Sequence, residues 1–370
     1  MSGEGMNGST SVSAAATGPD AEPAGTKDWW IYQGPGDPER KCERLAEQLP
    51  PWRKFTGEQD PEYVPPDSTD PAWPETDRRG SGYVPDTEEK DAVNTALYLR
   101  RPLLVTGKPG VGKSTLAYSI AADLELGPVL HWPVTSRSTL RDGLYQYDAI
   151  GRLHDANLGH LHASRATDAP VPDQSIAPYL RLGPLGTALL PQGKPRVLLV
   201  DEIDKSDIDL PGDLLTVFEE GSFEIPELAR VAGQEPRVRI GTHDDPNPRV
   251  WVKEGQVKCL AFPVVVLTSN GERDFPPPFL RRCIRLHMAP PGREKLIRIV
   301  RQRLGLDPAA DDRYGDLVEA FLKRRMDGDL ATDQLLNAVQ LRLRGAWPDP
   351  EERERFLGTV LRQLTGTPSA

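Results

Sequence analysis

Cysteine is scarce in this chain, long apolar runs are missing, and basic charge is in the minority. The three cysteines, Cys42, Cys259 and Cys283, lie far apart and match no zinc-ligand spacing. That argues against a disulfide framework or a zinc site and makes the reducing cytoplasm the expected location. No apolar stretch reaches membrane-spanning length, and the first residues lack the basic-then-apolar order of a secretory signal, so no membrane association is expected. Lys and Arg number 45 against 55 Asp and Glu, a formal net charge of -10. Phosphate backbones call for a basic face, so nucleic acid is not the expected main partner. His154, His160 and His162 lie near one another, but no acid or cysteine joins them at a metal-binding spacing. They read as loop residues.

What is present is a soluble globular composition, 38% hydrophobic and 27% charged over 370 residues, long enough for one large domain or two. Residues 1–27 are almost entirely Gly, Ser, Ala, Thr, Pro and acids, too poor in apolar side chains to repay ordering, and are expected to be a disordered tail. Residues 28–85 form an arm rich in proline and aromatics, including Trp29, Trp30, Trp52, Phe55 and Trp73. Such a segment is not expected to make long helices, but its rings can pin an extended chain to its own domain or dock another protein.

Asp86 followed by Glu89 has the form of a helix capping box, with Ala92, Val93, Ala96 and Leu97 at helical spacing behind it. Five short apolar runs follow: PLLVTG at 102, VLHWPVTS at 129, RVLLVDE at 196, FPVVVLTSN at 262 and CIRLHM at 283. Continuous hydrophobicity suits strands covered on both faces, so residues 86–289 are predicted to be an α/β domain with a five-stranded parallel sheet. From 290 to 366 only helical periodicity remains, on the faces of Leu296, Ile297, Val300 and Leu304, then Leu335, Leu336, Val339 and Leu343, then Phe356, Leu357, Val360, Leu361 and Leu364. A small all-helical domain is expected there. Residues 237–258 alternate around a Pro/Asn/Asp turn and predict a β-hairpin.

The segment GKPGVGKST, residues 107–115, fits the phosphate-loop pattern in full and stands between a predicted strand and a predicted helix. Gly107, Lys108, Pro109, Gly110, Val111, Gly112, Lys113, Ser114 and Thr115 would wrap the phosphates of ATP with backbone amides. Lys113 would balance phosphate charge, and Ser114 would ligand Mg2+. At the end of the third apolar run, Asp201 is placed to hold the magnesium and Glu202 to deprotonate an attacking water, which favours hydrolysis. Asn270 ends the next run; it is either a γ-phosphate contact or an ordinary turn former, and strand order decides which. In FPPPFLRRC, three successive prolines are read as excluded from helix and central strand, a rigid lead that aims Arg281 or Arg282.

A phosphate loop, a DE-tipped strand, an Asn-tipped strand, an arginine before the fifth strand and a helical lid together resemble the AAA+ ATPases. RPLLVTGKPGVGKSTLA, LYQYDAIGRLHDA and GPLGTALL are similar to segments of the MoxR branch, and the resemblance covers about 86–345. It implies a homo-oligomeric ring, a hexamer, that spends ATP on remodelling a protein client in chaperone fashion, often a von Willebrand A domain protein. It also implies that Arg282, with Arg281 second, reaches the nucleotide of a neighbouring subunit, and that the hairpin faces the ring opening with Trp251 as a client contact. The branch's lid arginine has no counterpart in LATDQLLNAV, 330–339; Arg342 and Arg344 are possible substitutes. Two other functions stay open: a nucleotide-dependent switch in a bacterial defence or signalling system, and a nucleic-acid-linked motor.

Overall fold

The aromatic arm folds back over the domain that follows it. In the computed structural model, which describes residues 27–34, 37–66, 80, 82–163, 175–244, 247–307, 313–327, 330–346 and 353–361, Trp30, Ile31, Tyr32 and Leu45 are buried. The expected tail up to residue 26, Trp73, Leu364 and the side chains of His160 and His162 lie outside the described residues. Asn94 fastens the arm: its Oδ1 accepts from the amides of Ile31 and Tyr32 at 2.6 and 2.9 Å, and its Nδ2 donates to the Tyr32 carbonyl at 2.8 Å. Trp30 Nε1 donates to Asp91, and the Tyr32 hydroxyl meets Ser119. The arm is not wholly extended. Helix α1 (Pro38–Glu47) forms because Asp37 caps it and Pro38 sits in the first turn, where a missing N–H costs nothing.

The capping box at Asp86 opens α2 (Thr87–Leu99), with both reciprocal bonds formed. Then β1 (Leu103–Gly107) leads through the glycine loop into α3 (Lys113–Asp123), and β2 (Leu130–Pro133) follows. A helical turn, α4 (Leu140–Leu144), is interrupted by β3 (Tyr145–Tyr147), α5 (Ala149–Ala163) and β4 (Leu180–Leu182) before α6 (Pro184–Ala188) resumes. The acidic strand is β5 (Val197–Asp201). After α7 (Leu210–Glu220), β6 (Ser222–Glu224) and α8 (Pro226–Val231) come β7 (Arg237–Gly241) and β8 (Arg249–Lys253), then β9 (Gln256–Lys258) and β10 (Val264–Ser269). The chain finishes with α9 (Pro277–Arg282), β11 (Ile284–Met288) and the helices α10 (Arg293–Leu304), α11 (Gly315–Asp327), α12 (Thr332–Leu343) and α13 (Arg353–Val360).

The five apolar runs pair as one parallel sheet in the order β11-β1-β10-β5-β2. Residues of β1, β5 and β10 are almost wholly inaccessible, in keeping with helices on both faces. The predicted hairpin is β7 with β8, in register from Arg237 opposite Lys253 to Gly241 opposite Arg249. It belongs to a second, six-stranded sheet, β3-β4-β7-β8-β9-β6, that the sequence pattern did not disclose. The C-terminal helices share their own apolar core, to which α11 adds Leu317, Val318 and Phe321.

One expectation is corrected by α9. Pro277 and Pro278 begin a helix rather than exclude one, since the first turn requires no N–H donor, and Pro276 is its N-cap. The helix then ends at Arg282, directly before the fifth parallel strand.

Candidate functional site

Strand order decides the reading of Asn270. Because β10 lies between the phosphate-loop strand β1 and the acidic strand β5, its tip falls between Lys113 and Glu202. Asn270 Oδ1 accepts from Lys113 Nζ at 2.8 Å, and its Nδ2 donates to Glu202 Oε1 at 3.2 Å. Lys113 Nζ also donates to the carbonyls of Gly107 and Lys108 at 2.8 and 3.0 Å. Its amine is buried, which lowers its pKa against the opposing pull of Asp204, Asp201 and Glu202. Gly110 and Gly112 take positive φ, 75° and 102°, and a side chain at Gly110 would lie 2.3 Å from the Ala331 Cβ. The loop therefore needs glycine there for both conformation and space.

Asp201 is the hub of the acidic side. Its Oδ1 accepts from Ser114 Oγ at 2.8 Å and from Thr268 Oγ1 at 2.6 Å, and its Oδ2 lies 3.3 Å from His131 Nε2. Burial alone would raise its pKa, but the bonds from His131, Thr268 and Ser114 outweigh that and hold it at about 2. An ionised carboxylate beside a serine hydroxyl is a hard-oxygen donor pair of the type magnesium takes, so these residues fit the ion. Glu202 follows in a left-handed conformation, φ 60°, with its amide donating to Thr268 Oγ1 and its carboxylate bound by Lys205 Nζ at 2.6 Å. A non-glycine residue held at positive φ is uncommon and marks a side chain aimed by its surroundings.

Several participants escaped the sequence pattern. Asp204, only 3% exposed, accepts from the amides of Asn270 and Glu272 at 2.9 and 3.1 Å, tying the turn after β5 to the tip of β10. Thr268, His131 and Lys205 were likewise not singled out. Lys205 lies three residues from Glu202, a spacing that signals an ion pair; the roles of Asp204, Thr268 and His131 depend on which strands pair.

Residues 102–283 match the family described as AAA domain (dynein-related subfamily). This segment is an AAA+ P-loop module. No curated protein matches the chain. Among solved structures, domain III of the Thermotoga maritima replication initiation protein DnaA aligns at 16% identity over 76% of this chain and 95% of that one, with a TM-score of 0.37.

Beside the phosphate loop the AAA+ module opens into a cavity of about 470 Å³. Residues 109–115, Asp201, Glu202 and Asn270 line it, so the sequence-predicted cluster converges; Gly107 and Lys108 contribute through the carbonyls that hold Lys113. Tyr83 and Val84 of the arm, Ile299 of α10 and Leu336 of α12 supply an apolar end. The helical region closes on the loop directly, with the Thr332 amide donating to the Gly110 carbonyl at 3.3 Å. On that side the cations are Lys295 and Arg303 of α10, while α12 presents Thr332 and Asp333. Arg342 is bonded to Asp316. Arg344 lies against Gln340.

Arg281 and Arg282 are not among the lining residues. Arg282 Nε donates to Glu219 at 2.8 Å beside a separate small cleft, and the Arg281 carbonyl accepts from Arg101. Trp251 of the hairpin is engaged by the arm: its amide donates to Asp60, its Nε1 donates to Glu62, and Arg237 and Arg239 flank its ring.

Proposed function

We propose that the chain is a MoxR-like AAA+ ATPase that works as a ring, a hexamer, and uses ATP hydrolysis to remodel or activate a protein client, such as a von Willebrand A domain protein. The observation that carries the catalytic part is the convergence of Lys113, Ser114, Asp201, Glu202 and Asn270 on one cavity, with Asn270 bonded to both Lys113 and Glu202. The loop amides and Lys113 bind the phosphates. Glu202 accepts the proton of the attacking water, and Asn270 orients that water against the γ-phosphate. Magnesium, held through Ser114 and Asp201, would supply neutralisation of charge developing on the phosphate oxygens. The apolar end made by Tyr83, Val84, Ile299 and Leu336 suits the base. Arg282 completes the site of the next subunit from the far side of the domain, and the ring resemblance supports that role.

The test is ATP turnover of the full chain. Glu202→Gln lowers turnover by about 10² to 10⁴ while ATP still binds. Lys113→Ala weakens ATP binding about tenfold or more, as expected for loss of a charge-assisted contact. Turnover that survives both changes overturns the assignment. A second reading, a nucleotide-gated switch with slow turnover, is favoured by α12 offering Thr332 and Asp333 to the cavity in place of an arginine. Co-purification of a client with the Glu202→Gln form distinguishes remodelling from switching.

A further inference from the structure

A second cavity, of about 400 Å³, is lined by His131, whose ring meets Asp201. Three stretches of chain build it: residues 131–146, from the end of β2 through α4 into β3; residues 181–184, from β4 to the start of α6; and residue 243 beyond the hairpin strand β7. They are brought together by the parallel pairing of β4 with β7, in which Arg181 lies opposite Gly241. Its lining carries two guanidinium groups, Arg137 and Arg181, and two imidazoles, His131 and His243.

Arg181 is held in place without being neutralised. Its Nε donates to the Thr242 carbonyl at 2.8 Å and one terminal nitrogen to the His243 carbonyl at 3.1 Å, and both acceptors are uncharged. The Arg137 guanidinium has no hydrogen-bond or ion-pair partner among the described residues, and neither do the ring nitrogens of His243. The acid on the lining, Asp142, is turned to its own helix cap, where Oδ2 accepts from the amide and hydroxyl of Thr139, both at 2.8 Å. A fixed guanidinium, a second one within the same cavity and unused imidazole nitrogens make a receptor for a negatively charged oxygen group.

We propose that this cavity binds an oxyanion, a phosphate or carboxylate group, through Arg137 and Arg181 with His243 as a further donor. The site meets the nucleotide cavity through one contact: His131 lines this cavity, and its Nε2 lies 3.3 Å from Oδ2 of Asp201, which lines the other. An oxyanion that draws on His131 therefore changes the setting of Asp201, and by reciprocity magnesium and ATP change the affinity for the oxyanion. This coupling rests on the nucleotide reading above; the binding itself does not.

Calorimetric titration of the full chain with inorganic phosphate, and separately with glutarate, in the absence of nucleotide and magnesium, tests the binding. At least one anion binds. That binding persists in Lys113→Ala and falls about tenfold or more in Arg137→Ala and in Arg181→Ala. Arg181→Lys, which keeps the charge and loses the fork, recovers part of it. Phosphate alone or glutarate alone identifies the oxyanion preferred. Failure of both anions to bind, or binding lost in Lys113→Ala but untouched in Arg137→Ala, overturns the proposal. The Arg137 side chain has no hydrogen-bond or ion-pair partner among the described residues, so an unchanged melting curve for Arg137→Ala keeps the result interpretable. Failure of the nucleotide reading would show instead as absence of ATP binding by the unaltered chain, which these titrations do not measure.

Discussion

Asp204 illustrates what single residues contribute around the nucleotide cavity. Its carboxylate is buried and accepts two backbone amides, one of them that of Asn270, so it fixes the height of the β10 tip against the turn carrying Glu202. It lines no part of the cavity and acts through Asn270, as a positioning residue. Asp204→Ala therefore lowers kcat about tenfold or more while the dissociation constant for ATP stays nearly constant, and Asp204→Asn, which retains one carbonyl acceptor, recovers part of the loss. Equal losses in kcat and in ATP affinity would instead mean that the change merely loosens the fold. The residue chemistry of the phosphate loop was legible in the sequence because spacing alone puts Lys113 and Ser114 at a helix start. Asp204 was not, because its partners are 66 and 68 positions away.

Among elements, the arm shows how burial separates structural from spare aromatics. Trp30 is buried and bonded to Asp91, whereas Trp52 is 76% exposed. Trp30→Ala should cost about 3–5 kcal/mol of stability, read as a lower urea midpoint, and Trp52→Ala less than about 0.5 kcal/mol. Equal effects would contradict the account of Asn94 and Trp30 as the arm's anchor. The sequence placed Trp29, Trp30 and Trp52 in one aromatic segment without ranking them, since ring content says nothing of which ring meets a core. The same element-level limit applies at α9. Proline count argues against a helix, but proline position inside the first turn permits one.

At the scale of the molecule, Arg282 is remote from the nucleotide cavity of its own chain and bonded to an exposed Glu219. Such surface pairs contribute about 0–1 kcal/mol, so Arg282→Ala should leave the melting transition almost where it was. If the residue serves the next subunit's nucleotide, the same change reduces turnover about 10³-fold or more and abolishes its rise with chain concentration. Unchanged turnover would sink that role for Arg282 and move attention to Arg281.

By itself the sequence determined the parallel α/β module, its five strands, the helical region after it, and the identity of Gly107 through Thr115, Asp201, Glu202 and Asn270 as a candidate set. These follow from local periodicity and from residue spacing, both of which are carried within a few turns of chain. Only the tertiary structure decided that Asn270 lies between Lys113 and Glu202, that a second sheet joins β4 to the hairpin, and that Arg137, Arg181 and His243 share a cavity. Those facts depend on which strands pair, and pairing is fixed by burial of distant apolar faces against one another, a property that no short stretch of sequence contains.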